Sequence, residues 1–158
     1  MKDALPRVLG VARRLLRDES AGWDAAQEAF VKAWRGIAGF RGEAAFASWV
    51  AGIAVRVGLD RLRAESREAQ EEVPEVADTA SPAAEAETRE LGAAIRAAVE
   101  SLPAGERAVF LLHHEAEKRY HEIAAELAIP IGTVMSRLHA ARQRLRRELE
   151  GHWKEWKS

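Results

Sequence analysis

The chain has 158 residues, enough for one medium domain or two small ones, and its 31% charged and 6% aromatic residues, with few glycines, prolines or β-branched runs, favour an all-α protein. It has no cysteine, which excludes disulfides and thiolate metal sites; no apolar run approaches the ~20 residues of a membrane span; and Arg7, Arg13 and Arg14 interrupt the only signal-like stretch, so a cytoplasmic protein is expected. The formal net charge of -1 excludes a uniformly basic nucleic-acid binder, yet it averages an acidic stretch from Glu65 to Glu90 with a strongly basic one from Arg137 to Arg147, and local charge governs phosphate contact.

Leu5, Val8, Leu9, Ala12, Leu15 and Leu16 form a helical stripe, with Pro6 suited to the first turn. Asp18 to Gly22 is expected to break it. Trp23 to Gly36 predicts the next helix. Trp23, Phe30, Val31, Trp34 and Ile37 share one face, and Asp24, Glu28, Lys32 and Arg35 share another. Gln27 falls within the apolar stripe, where an amide needs a hydrogen bond or a partner. The run from Asp24 to Arg35 resembles region 2.2 of the extracytoplasmic-function (ECF) sigma factors, a subfamily of the sigma-70 RNA polymerase initiation factors. The resemblance implies that Asp24, Gln27, Glu28, Lys32 and Arg35 contact core RNA polymerase. A solvated face with charge pairs such as Glu28 and Lys32 is the plainer alternative.

Gly39 to Glu43 reads as a loop, and Ala45 to Arg63 as a helix. Phe46, Trp49, Val50, Ile53 and Val57 line one side of it and Val55, Leu59 and Leu62 nearly the opposite side. A helix apolar on two sides is sandwiched between others. Gly52 and Gly58 are expected to allow close packing. The phrase Phe40-Arg41-Gly42-Glu43-Ala44, with Phe46, Ser48-Trp49-Val50 and Ile53-Ala54, resembles regions 2.3 and 2.4, which open the -10 promoter element and hold a flipped base. By that resemblance Arg56, Arg61 and Arg63 are candidate contacts to the -10 strand. Arg56 departs from the family, which carries Asn there. An arginine can stack on a base or bind phosphate, but it lacks the amide's donor-acceptor pattern.

Residues 66–88 read as an acidic linker without apolar periodicity, extended or disordered when free. Leu91, Ile95, Ala98 and Leu102 open the second domain. Leu102-Pro103, Glu106-Arg107 and Val109 to Leu112 resemble region 4.1. The corner that follows is unusual. Glu115, Glu117 and Lys118 stand where the family is apolar or glycine-rich, which makes the corner exposed or a meeting place for a partner. Were the helix continuous, His113, Glu117 and His121 would present metal ligands at i, i+4 and i+8. The resemblance breaks the helix before Tyr120, and the chain lacks an HExxH pattern, so no metal is expected.

Tyr120, Ile123, Ala124 and Leu127 make a short amphipathic helix. Pro130 ends it and starts another, which buries Val134, Leu138, Ala141, Leu145 and Leu149. A short helix, a tight turn and a longer basic helix form a helix-turn-helix, whose second helix enters the DNA major groove. Ile129 to His139, with Ala141-Arg142, closely resembles ECF region 4.2. The resemblance assigns Thr133, Met135, Ser136, Arg137, His139 and Arg142 to the -35 promoter element. Ala128 replaces the usual turn glycine and is strained if that position needs a positive φ. Gly151 is expected to end the helix, leaving a tail with Trp153 and Trp156.

The resemblance covers nearly the whole chain in the family's order. It implies an all-α chain with a region 2 domain over 1–65, a flexible acidic linker over 66–88, a region 4 domain over 89–150 and a tail over 151–158. The expected function is that of an alternative sigma factor, which binds core RNA polymerase and directs it to promoter DNA. No catalytic residues, cofactor or membrane contact are expected. Many members of the family are held inactive by an anti-sigma factor, so a partner of that kind is an open expectation. The alternative is a sigma-like regulator or decoy that does not initiate transcription, which Arg56 and the polar corner motivate.

Overall fold

The structure is a computed structural model that describes residues 3–68 and 86–156, with side chains over 3–67 and 89–152. Among the described residues the regular structure is entirely helical. Helix α1 (Ala4–Leu16) ends at Arg17, whose φ of 58° turns the chain left-handed. Asp18 is extended and caps α2 (Glu19–Arg35): its Oδ1 accepts the Ala21 N–H at 2.7 Å. This cap confines the expected break at Asp18 to Gly22 to Arg17 and Asp18 alone, and α2 starts four residues before Trp23. A 3-10 turn (Ile37–Gly39) leads through a loop to α3 (Phe46–Glu68).

Burial on α2 reverses the expected orientation. Its inner face is Gly22, Ala25, Ala26, Ala29 and Ala33, while Trp23, Val31, Trp34 and Ile37 are exposed, Trp34 at 77%. Small residues face inward because α1 approaches too closely for anything larger. A Cβ on Gly22 would stand 2.6 Å from Arg13 Cγ. Gln27 is exposed with the aromatic stripe, so its amide is met by solvent. Every residue of α3 from Val50 to Val55 is buried, as befits a helix sandwiched between others, and Arg56 is the first exposed one after them. Gly58 admits Leu15 of α1, whose Cδ2 lies 2.5 Å from where a Cβ would be.

The second domain comprises α4 (Ala86–Ser101), α5 (Ala104–His114), α6 (Tyr120–Leu127) and α7 (Ile131–Trp156). Ala98, Val99 and Leu102 anchor α4, while Ile95, expected on its inner stripe, is exposed. Val134, Leu138 and Ala141 of α7 are buried as expected. Residues 69–85, most of the expected linker, lie outside the described residues. Gly151 does not end α7, which runs on to Trp156. A glycine inside a helix costs only ~1 kcal/mol, too little to stop one already propagating. The tail tryptophans' side chains lie outside the described residues. One apolar cluster joins both domains: Val8, Val11 and Leu15 of α1 and Val50 to Val55 of α3 continue into Val109, Leu111, Leu112, Ile123 and Val134. Helix α5 is the seam, packed against α1 and α3 as well as α7. Among the described residues no helix is long and apolar enough to cross a membrane.

Ala128 adopts a φ of 52° at the turn between α6 and α7. The Ile129 N–H closes back on the Ala124 carbonyl at 3.0 Å, which seals the end of α6. An alanine in this left-handed position carries the strain that a glycine avoids. Ala128→Gly is expected to raise stability by about 1 kcal/mol in urea titrations followed by circular dichroism. Asp18→Ala, which removes the α2 cap, is expected to lower it by about 1 kcal/mol in the same assay.

Candidate nucleic-acid interface

Helix α7 begins where Pro130 supplies its first carbonyl acceptor, at 2.9 Å from the Thr133 N–H and 3.2 Å from the Val134 N–H. Its buried stripe faces α5 and α6, so the opposite side is free. Met135, Ser136, His139 and Arg142 are exposed there, with Gln143, Arg146 and Arg147 further along. Thr133 is half-buried, and the Ser136 hydroxyl donates to its carbonyl at 3.1 Å. Arg137 differs from the others. Its guanidinium lies 3.2 Å from where a Cβ of Gly105 would be, so it packs over the start of α5. The exposed set offers what major-groove recognition uses: a hydroxyl, an imidazole, guanidinium groups and an apolar contact.

The polar residues of α2 also divide. Glu28 bonds to Arg61 of α3 at 3.1 Å and pairs with Lys32 at 3.1 Å. The Arg61 hydrogen bond, then that of Lys32, holds the Glu28 carboxyl below its ordinary range. Asp24, Gln27, Lys32 and Arg35 are exposed beside Trp23, Val31 and Trp34. This is an outward apolar ridge with charges on its flank.

On α3, the three arginines are separated. Arg61 is turned to α2 by Glu28, and Arg63 pairs with Asp60 one turn back at 3.6 Å. Arg56 reaches the other domain, its Nε 2.9 Å from Glu126 Oε1 on α6. That contact is an ion pair by distance, off the direction of a hydrogen bond. Lys118 approaches the second oxygen of Glu126 at 3.8 Å. Beside them Phe40, Phe46 and Trp49 form an aromatic cluster, with ring centroids 4.8 to 5.9 Å apart. A groove of about 360 Å³ runs between the Gly39 to Ala44 loop and Trp49 on one side and Ala116 to Arg119 and Glu122 on the other.

The polar corner after α5 thus meets a partner within the same chain. Glu115 pairs with Arg14 at 3.2 Å and Arg7 at 3.6 Å, and Glu117 lies 3.7 Å from Arg7. The His113 ring Nδ1 is 2.9 Å from the Lys118 carbonyl, which can only accept, so Nδ1 carries the proton. Burial, more than the neighbouring His113 and Arg142, holds His114 below its usual value. The helix break from Glu115 to Arg119 separates His113 from His121, and among the described residues no group of three or more potential ligands is placed to hold a metal.

Arg107 went unremarked in the sequence beyond its place in a phrase. It is 4% exposed, and its Nε and Nη2 both donate to the Leu15 carbonyl of α1, at 3.1 and 2.7 Å. Nη1 donates to Leu102 at 2.7 Å and Glu100 at 3.2 Å. Burial, and then Arg17, push its pKa down to about 10, so it remains charged at neutral pH. A lone cation just before the apolar run from Ala108 to Leu112 was the available signal.

The family profile described as Sigma-70 region 2 matches residues 1–68, and that described as Sigma-70, region 4 matches residues 92–145. The chain is similar to the RNA polymerase sigma-H factor of Pseudomonas aeruginosa, at 30% identity over 156 residues, spanning 91% of this chain and 81% of that protein. It is similar to the ECF RNA polymerase sigma-E factor of Escherichia coli, at 34% identity over 139 residues, spanning 76% of this chain and 69% of that protein. Among solved structures it shares the fold of the sigma factor RpoE in complex with the anti-sigma factor NepR from Bartonella quintana. The TM-score is 0.67 over 94% of this chain and 93% of that one, at 24% identity.

Glu126 supplies a pH test. Burial raises its pKa, outweighing the opposing pull of Arg56 and Lys118, and Glu122 adds to the rise. A raised folded-state pKa contributes stability that is complete below the ordinary carboxylate range and is lost as pH climbs through the raised value. Glu126→Gln keeps the neutral shape at every pH. It is expected to melt above the native chain near neutral pH and to match it at about pH 4, as read by thermal denaturation.

Proposed function

The chain belongs to the ECF subfamily of the sigma-70 RNA polymerase sigma factors, and from that premise we propose that it docks on core RNA polymerase through α2 and directs it to promoters through α3 and α7. The observation that carries the docking assignment is the outward ridge of Trp23, Val31 and Trp34 on α2. Exposed tryptophan beside charge is the composition of a protein interface, where such residues dominate the binding energy. Asp24, Gln27, Lys32 and Arg35 flank the ridge and set its register on the partner. Glu28 acts with Arg61 to tie α2 to α3.

For DNA, Met135, Ser136, His139 and Arg142 of α7 meet the -35 element, with Thr133 at the edge. Arg137 braces α5 and reaches phosphate only at its own margin. The aromatic cluster of Phe40, Phe46 and Trp49, together with Arg56 and Arg63, takes the -10 strand by stacking and charge. Arg61 acts there through α2. The domains divide as residues 1–65, the acidic 66–88, 89–150 and a tail. The protein works in the cytoplasm with no catalytic activity and no cofactor of its own. An anti-sigma factor of the kind seen on a structural relative is a further partner.

Neither DNA contact needs to be tight. Docking on polymerase makes the second contact intramolecular, at an effective concentration near millimolar. The test is titration of fluorescently labelled protein with core polymerase from its own source, followed by RNA synthesis on that organism's DNA. Trp34→Ala and Lys32→Glu are each expected to weaken core binding about tenfold or more while leaving helical content unchanged. Native affinity in both variants would remove α2 as the docking site. Binding without any new transcript starts would leave a regulator that does not initiate.

A further inference from the structure

The first two turns of α7 carry an unusual surface for a helix assigned to DNA. Ile131 and Met135 stand at i and i+4, 49% and 53% exposed, on the side that continues into Ser136, His139 and Arg142. Among the described residues they are the large apolar side chains that α7 leaves exposed. Beside them a Cβ on Gly132 would meet open space, so a groove floor can approach the backbone closely.

The hydrogen-bonding groups that tell bases apart are missing from the same stretch. Guanine is read by a guanidinium or ammonium at O6 and N7, adenine by an amide at N6 and N7, and cytosine by a carboxylate at N4. From Ile131 to Leu138 the sequence has no Asn, Gln, Lys, Asp or Glu, and its one arginine, Arg137, is half-buried with its guanidinium over Gly105. Arg144, further along the same flank, is held by Glu106 at 3.0 Å. The hydroxyls of Thr133 and Ser136 suit any base, and that of Ser136 already donates to the Thr133 carbonyl. The next arginine, the exposed Arg142, lies about two turns beyond Met135.

What the stretch does offer is apolar contact, and one base carries an apolar group in the major groove, the C5-methyl of thymine. We propose that Ile131 and Met135 are specificity-determining residues, which read thymine methyl groups in the -35 element. The proposal rests on the assignment of α7 to that element and names the base chemistry it takes. The N-terminal residues of a recognition helix are the ones that reach base edges. Four residues of helix rise about 6 Å, close to two base steps of about 3.4 Å each. The two side chains therefore meet thymines about two steps apart. Met135 is unbranched and adjusts to the methyl it meets, whereas the branched Ile131 is stiff. Removing one methyl from water against either side chain strengthens binding about fourfold.

The test starts from the transcript starts that the protein and core polymerase of its own source give on that organism's DNA. One such promoter is rebuilt as a synthetic duplex, with upstream thymines replaced one at a time by deoxyuridine, which removes only the methyl. Binding of the assembled holoenzyme is titrated at fixed salt. Deoxyuridine is expected to weaken binding about fourfold at each of two positions about two steps apart, with little effect elsewhere. Met135→Ala is expected to erase the loss at one of them and Ile131→Ala at the other. Both side chains are exposed, so helical content is expected to stay native. Met135→Arg is expected to exchange the preference for thymine at its position for guanine, by about tenfold or more. Full binding of every deoxyuridine duplex would overturn the proposal and leave the apolar pair to a protein partner, while the promoter-factor reading stood. A methyl dependence that survives both alanine variants would overturn it too, since another residue would then be the reader. Absence of factor-dependent transcript starts from an assembled holoenzyme would remove the promoter-factor reading, and the proposal with it.

Discussion

The guanidinium of Arg107 is the constraint on which the closed structure depends. A buried charge left without partners costs several kcal/mol, so an arginine at 4% exposure must find acceptors. It finds three carbonyls and no carboxylate. Two of these, Leu102 and Glu100, belong to its own domain and fix the turn from α4 to α5. The third, Leu15, belongs to the other domain. The same side chain thus shapes the start of α5 and sets where α1 lies against it. The apolar cluster shared by α1, α3 and α5 follows from that placement.

Close approach between helices explains the second feature of the fold. Helices α1, α2 and α3 meet through Gly22, Gly58 and a row of alanines, which leaves no room for large side chains between them. The large apolar residues of α2 are therefore turned outward. An isolated monomer gains nothing from a 77% exposed tryptophan. The same close packing that expels Trp34 from the core leaves it on the surface beside Trp23 and Val31, as the proposed docking face requires.

The helix-turn-helix was the most legible part of the sequence. Apolar spacing located α6 and α7 and Pro130 marked the break, while the left-handed φ at Ala128 was only a conditional expectation until the structure gave it. The orientation of α2 was not legible, because periodicity assigns large apolar residues to the inside and gives alanine little weight. The end of α7 was missed for a related reason: Gly151 is a stop signal only where a cap or turn follows. The polar corner was noticed, but its partner was not, since Arg7, Arg14, Gly52 and Arg56 are far from it in sequence. Long-range pairing of single residues leaves no period and no local composition to read.

Arg56 links the unusual residue to the unusual arrangement. An asparagine at this position has the hydrogen-bonding pattern to meet a base, but neither the reach nor the charge to hold Glu126. An arginine has both. Glu126 in turn is buried at a cost that only a nearby cation offsets, and Lys118 alone is 3.8 Å away. The departure from the family at position 56 and the charged corner from Glu115 to Lys118 therefore meet at the same seam between the two domains. Each finds its partner on the other side of that seam.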